Sequence, residues 1–533
     1  MRKLIALAAL ALPTPAAAAP PKLIVVIAVD QFSADLFDQY RPQFTGGFAR
    51  VASGTVFRNG YQGHAITETC PGHAAIVTGD RPSRSGIIAN NWMDQSVARD
   101  DKTVYCVEDE RVPGTSSDKY IVSPLHLKVP TLGERMKLRW PRSRTVAVTG
   151  KDRSAVMMSG QRPDQRWYWK DDAFVSDLAI APPRSVTIIN QLAAAAAARA
   201  EPGLAPPPFC AARSGEIVPE GGSKPVGGGR FERGAGDKDR FRKSPQFDAT
   251  TLALAAALVG EMKLGKGSAP DLLTIGLSAT DLIGHEFGPG GQEMCLHLLS
   301  LDRDLGGFLA VLDRTGLDYA VALTADHGGQ DLPERLRQKG IAATRVSADL
   351  KAEEVGKRVG AKLGLTGELL HGGYSGNIYL DRSLTGADRR RVLMEALAEY
   401  RAQPQVEAAF SAAKVAATPL PKTTPDRWTL IERARASFDP QRSGDIIVLL
   451  GRYVTSVRDT KNTVSTHGSA WDYDRRVPIL FWRSGMRPSD REQPIETVDI
   501  MPTLAAMIGL EVKPGSVDGK CLLAVEGADC PAR

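Results

Sequence analysis

The chain has 533 residues, 43% of them hydrophobic and 24% charged, proportions that exclude disordered, collagen-like and heptad-repeat classes. Its 67 Lys and Arg against 61 Asp and Glu give a net charge of +6, but the charges are interspersed and form no basic arm or stripe. No nucleic-acid-binding module is expected from that pattern.

Residues 1–19 read as a cleavable secretory signal: Arg2 and Lys3, an apolar run from Leu4 to Leu12, then small residues ending Ala17-Ala18-Ala19. The run is too short to cross about 30 Å of hydrocarbon, and no later stretch is long and apolar enough. A periplasmic or secreted location without a membrane span is therefore expected. Export would place Cys70, Cys106, Cys210, Cys295, Cys521 and Cys530 in an oxidising compartment, where an even number suggests disulfides. Only Cys521 with Cys530 is close enough in sequence to be paired by inspection.

The first buried strand is expected over Lys22 to Val29 and ends on Asp30. Thr67-Glu68-Thr69-Cys70-Pro71-Gly72-His73 follows, opening a helical pattern from Pro71 to Val77. Proline suits the first helical position, which puts Thr69 and Cys70 at a helix N-terminus, where free N–H groups and the dipole attract an anion. Asn90 stands in a loop, as turn residues do. A strand over Thr145 to Thr149 precedes Lys151 and Arg153, whose side chains would point the same way on an extended backbone. Trp167, Tyr168 and Trp169 read as packing residues, the other reading being a stacking surface for a leaving group.

Residues from about 193 to 247 are Ala-rich, then Pro- and Gly-rich, and read as a long surface insertion. Gly260 with Gly265-Lys266-Gly267 imitates a phosphate loop, but Gly267 replaces the metal-binding Ser/Thr and no strand precedes it. Helical patterns over Ala249 to Met262 and Gly291 to Leu312 bracket a strand from Leu272 to Leu277, after which come Asp281 and His285. A strand from Tyr319 to Thr324 leads to Asp326 and His327. Residues from about 332 to 437, with a helix at Arg389 to Tyr400, read as a second insertion, a lid or cap. Strands are then expected at Asp445 to Leu450 and Val477 to Trp482, with His467 between them.

Strands alternating with helices predict an α/β fold, a mostly parallel central sheet flanked by helices, with its chemistry beyond the carboxyl ends of the strands. Residues 20–533 are expected to form a single catalytic domain carrying the two insertions.

Asp30, Asp281, His285, Asp326, His327 and His467 all follow strands or lie in loops that can reach one rim. Three Asp and three His divide into two three-ligand sets, each leaving an open position, as catalytic zinc sites do; other divalent ions accept the same donors. Two such metals would clamp both oxygens of an in-line displacement. Thr69 is either a helix cap or a nucleophile, and a metal pair beside it favours the nucleophile.

Several segments together are recognisable: Val29-Asp30-Gln31-Phe32, Thr69-Cys70-Pro71-Gly72-His73-Ala74, Gly86-Ile87-Ile88-Ala89-Asn90-Asn91-Trp92, Lys151-Asp152-Arg153, Asp281-Leu282-Ile283-Gly284-His285, Asp326-His327-Gly328 and Thr466-His467-Gly468-Ser469. Over nearly the whole mature chain the sequence resembles the alkaline phosphatase superfamily, within it the secreted bacterial PafA/PhoK-type phosphatases. The resemblance implies two Zn²⁺, one held by Asp281, His285 and His467 and the other by Asp30, Asp326, His327 and the Thr69 oxygen. It also implies phosphoryl contacts from Asn90, Lys151 and Arg153. A covalent phosphothreonine, small phosphate monoesters as substrates and a monomeric enzyme are expected on the same reading of the site.

The related nucleotide pyrophosphatase/phosphodiesterase branch has a similar core, so the core alone does not choose the substrate. Two Zn²⁺ against three aspartates and a threonine alkoxide leave the centre near neutral, and a dianionic monoester benefits from the further cations Lys151 and Arg153. A diesterase remains the alternative, and a non-catalytic metal- or phosphate-binding protein the alternative of another class. A sulfatase is disfavoured because Cys70 abuts Pro71 and no arginine follows at the needed place.

Overall fold

The computed structural model describes residues 19–222 and 224–531. The expected signal, residues 1–19, lies outside the described residues except for Ala19. Leu23–Val29 has seven consecutive apolar residues and seven buried positions, the pattern of a strand covered on both faces. It forms the middle of a ten-stranded sheet, paired in parallel with Asp271–Leu277 on one side and Tyr319–Thr324 on the other. Thr145–Thr149 and Gln165–Lys170 extend the parallel run beyond Asp271–Leu277. Helices flank the sheet, and its core takes in aliphatic residues of strands and helices alike.

Two strand expectations need correction. Arg476–Arg483 joins this sheet but runs antiparallel to both its neighbours, Tyr319–Thr324 and Thr55–Tyr61. Ile446–Leu450 is not in it: with Leu370–His371, Gly376–Leu380 and Val406–Ser411 it builds a separate four-stranded antiparallel sheet. That sheet has its own hydrophobic cluster, packed by the helices Ala352–Leu363 and Gly386–Arg401. An apolar run declares burial but not the direction or identity of its partner, so membership of the mostly parallel central sheet does not follow from it.

The six cysteines form three disulfides: Cys70–Cys106, Cys210–Cys295 and Cys521–Cys530. The second pins the Pro- and Gly-rich stretch to the helix Gln292–Arg314, and that stretch buries Ile217, Val226 and Phe231 rather than lying loosely on the surface. Trp167, Tyr168 and Trp169 are buried packing residues of a strand. Among the described residues no helix is long and apolar enough to cross a membrane.

Candidate metal centre and active site

The parallel strands end on one rim, and the rim collects the site. Asp30 follows the strand Leu23–Val29, Lys151 lies two residues beyond Thr145–Thr149, and Asp326 and His327 follow Tyr319–Thr324. Asp281 and His285 lie one turn apart on the helix Ala279–Phe287, and His467 arrives from a loop. The six expected ligands fall into two groups, Asp281 with His285 and His467, and Asp30 with Asp326 and His327, the donor atoms of each within 4.8 Å of one another. Stacked rings of His327 and His467, with centroids 3.6 Å apart, join the two groups.

Several features fit a pair of divalent cations. In all three histidines Nδ1 faces a backbone carbonyl: Gly328 at 2.8 Å for His327, Ser465 at 2.9 Å for His285, Thr67 at 2.8 Å for His467. That orientation commits Nε2 to the cluster, as metal-ligating imidazoles require. Asp30 Oδ1, Asp326 Oδ2, His327 Nε2 and Thr69 Oγ1 are buried without a hydrogen-bond partner. Three carboxylates wholly inside the protein repel one another and need cationic compensation.

The titration behaviour carries the same message. Burial and the neighbouring Asp326 push the Asp30 carboxyl well above its ordinary range. Burial also acts upward on Asp281 and Asp326, but His285 and Lys151 hold the first below the usual range, and His327 and His73 do so for the second. Burial pushes His327 down to about 3, so the imidazole is neutral and able to donate a lone pair.

Thr69 opens the helix Thr69–Thr78, with Glu68 as its cap, so Thr69 is not the cap and Pro71 sits at the third helical position rather than the first. Its fully buried hydroxyl stands unpartnered at the positive end of the helix. Gly72 makes this placement possible, because a Cβ there would collide with the Asp326 carbonyl oxygen. Asn90 is fixed beside Thr69: its Oδ1 accepts the Cys70 N–H at 2.8 Å and its own N–H donates to Glu68 Oε2 at 2.6 Å. The Cys70 N–H expected to serve as a free donor is thus taken by Asn90.

Lys151 and Arg153 depart from the expected geometry. Lys151 is extended but caps the helix Asp152–Ser159, so Arg153 lies in its first turn and the two do not share a strand face. Lys151 Nζ bridges one carboxylate from each ligand group, Asp30 Oδ2 at 2.6 Å and Asp281 Oδ2 at 2.5 Å. Arg153 Nε is buried and unpartnered.

Sequence reasoning gave no role to Gln31 or His73. The Gln31 N–H donates to Asp326 Oδ1 at 3.1 Å and its amide to Asp281 Oδ1 at 3.3 Å, tying the two groups together from a backbone with φ of 63°. Gly284 leaves room for that side chain. His73 Nδ1 lies 2.9 Å from the Thr69 carbonyl and 3.1 Å from Asp326 Oδ2. Its place four residues after Thr69 on a helix was a legible signal; the conformation of Gln31 was not.

A mostly parallel α/β sheet with two Asp/His groups at its rim and a buried threonine at a helix start defines a class, and comparisons specify it. The model of the type I phosphodiesterase / nucleotide pyrophosphatase family matches residues 24–470. The chain is 52% identical over 520 residues to alkaline phosphatase PhoK of Sphingomonas sp., covering 96% of this chain and 93% of PhoK. It is 43% identical to alkaline phosphatase PhoD of Zymomonas mobilis, covering 96% and 90% of the two chains. The crystal structure of wild-type alkaline phosphatase PafA superposes with a TM-score of 0.82 at 26% identity, covering 96% of this chain and all of that one. The chain belongs to the type I phosphodiesterase / nucleotide pyrophosphatase family, and within it to the PhoK- and PafA-type alkaline phosphatases. It is an enzyme of that class, a phosphoric monoester hydrolase.

Proposed function

We propose that this protein is an exported, zinc-dependent alkaline phosphatase that hydrolyses small phosphate monoesters through a phosphothreonine at Thr69. The observation that supports the reading is the unpartnered, buried Thr69 hydroxyl on the helix whose His73 bridges the Thr69 carbonyl and Asp326, one of the ligands of the two three-residue groups. Asp281, His285 and His467 would hold one Zn²⁺, and Asp30, Asp326 and His327 the other. Such ions would supply Lewis acidity, easing loss of the Thr69 proton and neutralising charge on the reacting oxygens.

The side chains then have separate tasks. Thr69 Oγ forms a bond to phosphorus in line with the departing ester oxygen, which leaves with the bonding pair and takes up a proton to become the alcohol. Water cleaves the phosphothreonine, releasing phosphate and restoring the hydroxyl. The neutral donor of Asn90 and the cations Lys151 and Arg153 hold the non-bridging oxygens, and their charge favours a dianion over a diester. The enzyme acts as a monomer in the periplasm or medium after loss of residues 1–19. Its catalytic domain spans 20–533, with insertions at about 193–247 and 332–437.

The test compares kcat/KM at alkaline pH for an aryl phosphate monoester and the matching diester, before and after chelation and zinc return, with mass analysis of acid-quenched protein. Monoester preference restored by zinc, with one phosphoryl group on Thr69 and none on T69A, is the expected result. Diester preference, the second reading that the family model favours, would replace it.

A further inference from the structure

Arg153 is half-buried, with its Nε buried and unpartnered and a carboxylate, Asp152, as its chain neighbour, yet among the described residues it forms no ion pair within 4.0 Å. The reason is that Asp152 is already engaged. Its Oδ1 accepts the Tyr105 hydroxyl at 2.8 Å and the Arg153 backbone N–H at 2.6 Å, and its Oδ2 accepts the Tyr120 hydroxyl at 2.5 Å. The two tyrosine rings pack with centroids 4.7 Å apart. Tyr105 Oη, having given its proton to Asp152, faces Arg153 Nη1 at 3.5 Å. The guanidinium therefore keeps most of its donors, the buried Nε among them, for an anion that comes from outside the protein, because a buried donor left without a partner is costly.

The tyrosine is also referenced to the nucleophile. Tyr105 ends the strand Thr103–Tyr105, and the next residue, Cys106, is disulfide-bonded to Cys70 beside Thr69. The Cys106 N–H donates to the Asn90 carbonyl at 2.9 Å, and the Tyr105 N–H to Glu108 Oε1 at 2.9 Å. A movement of Tyr105 relative to Thr69 is opposed by a covalent link and by hydrogen bonds to both its flanks.

We infer that Tyr105 and Tyr120 are positioning residues that occupy Asp152, keep it from capturing Arg153, and so set the preference for a dianionic phosphoryl group over a diester. This rests on the role proposed above for Arg153. With either hydroxyl gone, a carboxylate oxygen of Asp152 is released to pair with the guanidinium, which turns from the phosphoryl site and loses effective charge.

The experiment is a double-mutant cycle on the zinc-loaded enzyme, measuring kcat/KM for an aryl phosphate monoester and its matched diester in wild type, Y105F, Y120F, R153A and Y105F/R153A. The expected result is a roughly tenfold loss with the monoester in each Phe variant, a several-fold smaller loss with the diester, and no added loss when Y105F is placed on R153A, one factor of ten corresponding to about 1.4 kcal/mol. Equal losses for both substrates in Y105F and Y120F, or losses that multiply in the double variant, would show a merely structural role and overturn the inference. An unchanged monoester-to-diester ratio in R153A would instead overturn the role of Arg153 itself. Phe keeps the ring packing, and Y120F, on another segment of the chain, provides an independent reading if Y105F folds poorly.

Discussion

Leu23–Val29 in the large sheet and Ile446–Leu450 in the small one are alike as sequences: short, aliphatic, and buried at every position. Their surroundings differ in one respect. Leu23–Val29 has parallel partners on both sides, so three carboxyl ends fall side by side and deliver Asp30, Asp326 and the helix of Asp281 to one place. Ile446–Leu450 has antiparallel partners, so neighbouring strand ends alternate in direction and no common rim forms. The large sheet ends in buried polar atoms without partners, whereas the helices over the small sheet carry surface pairs such as Arg358 with Glu399 and Lys362 with Glu395. Equal burial thus serves two ends, convergence of reactive groups in one sheet and a self-contained hydrophobic cluster in the other.

The sharpest way to break this contrast is to move the rim without touching a reactive group. Gly72→Ala would drive the Thr69 helix away from Asp326, because its new methyl meets the Asp326 carbonyl oxygen. A displacement of about 1 Å is expected to cost on the order of a hundredfold in kcat/KM with the fold retained by circular dichroism. Near wild-type activity would mean that the approach of helix to strand end does not set the site.

The counterpart lies in the small sheet. Ile446→Ala empties part of its fully buried cluster and is expected to cost about 2–5 kcal/mol in denaturant unfolding. Turnover per folded molecule should hardly change. A fall in kcat as large as that of Gly72→Ala would show that the two sheets are mechanically coupled and that the contrast fails.

A smaller effect separates stability from chemistry by pH. Burial pushes the Asp248 carboxyl from 3.8 up to about 7, where it accepts the Ala279 N–H at 3.0 Å with one oxygen and leaves the other unpartnered. The folded protein keeps this proton at pH values where the unfolded chain has released it. Its contribution is therefore complete below the unfolded pKa of 3.8 and is lost as pH rises through about 7. Asp248→Asn keeps the acceptor for Ala279 but cannot ionise, so its Tm should fall less than that of wild type from pH 4 to 8. Parallel Tm curves would contradict the assignment.

Much of the site was legible because its residues follow strand ends at short range. Asp30, Asp326 and His327 directly follow apolar runs, Asp281 and His285 declare a helical turn by their spacing, and Thr69 stands beside a proline and a glycine that mark a helix start. Cys521 with Cys530 was legible for the same reason, a short closed loop.

Other features depend on partners far along the chain. The direction of Arg476–Arg483 and Ile446–Leu450 is set by which strand lies alongside, and periodicity reports only burial. Cys70–Cys106 and Cys210–Cys295 close loops of 36 and 85 residues that spacing does not single out. Gln31 reaches carboxylates 250 and 295 residues away from a left-handed backbone, and the shared direction expected of Lys151 and Arg153 fails because a helix already begins at Asp152. Local pattern determined the residue types of the site and the strands that carry them, since both follow from hydrophobic order and short-range spacing. The family resemblance already gave the grouping of carboxylates with imidazoles that the structure shows, whereas only the tertiary structure decided which residues tie the two groups together and which tyrosines meet Asp152, because those contacts are set by sheet order and helix approach.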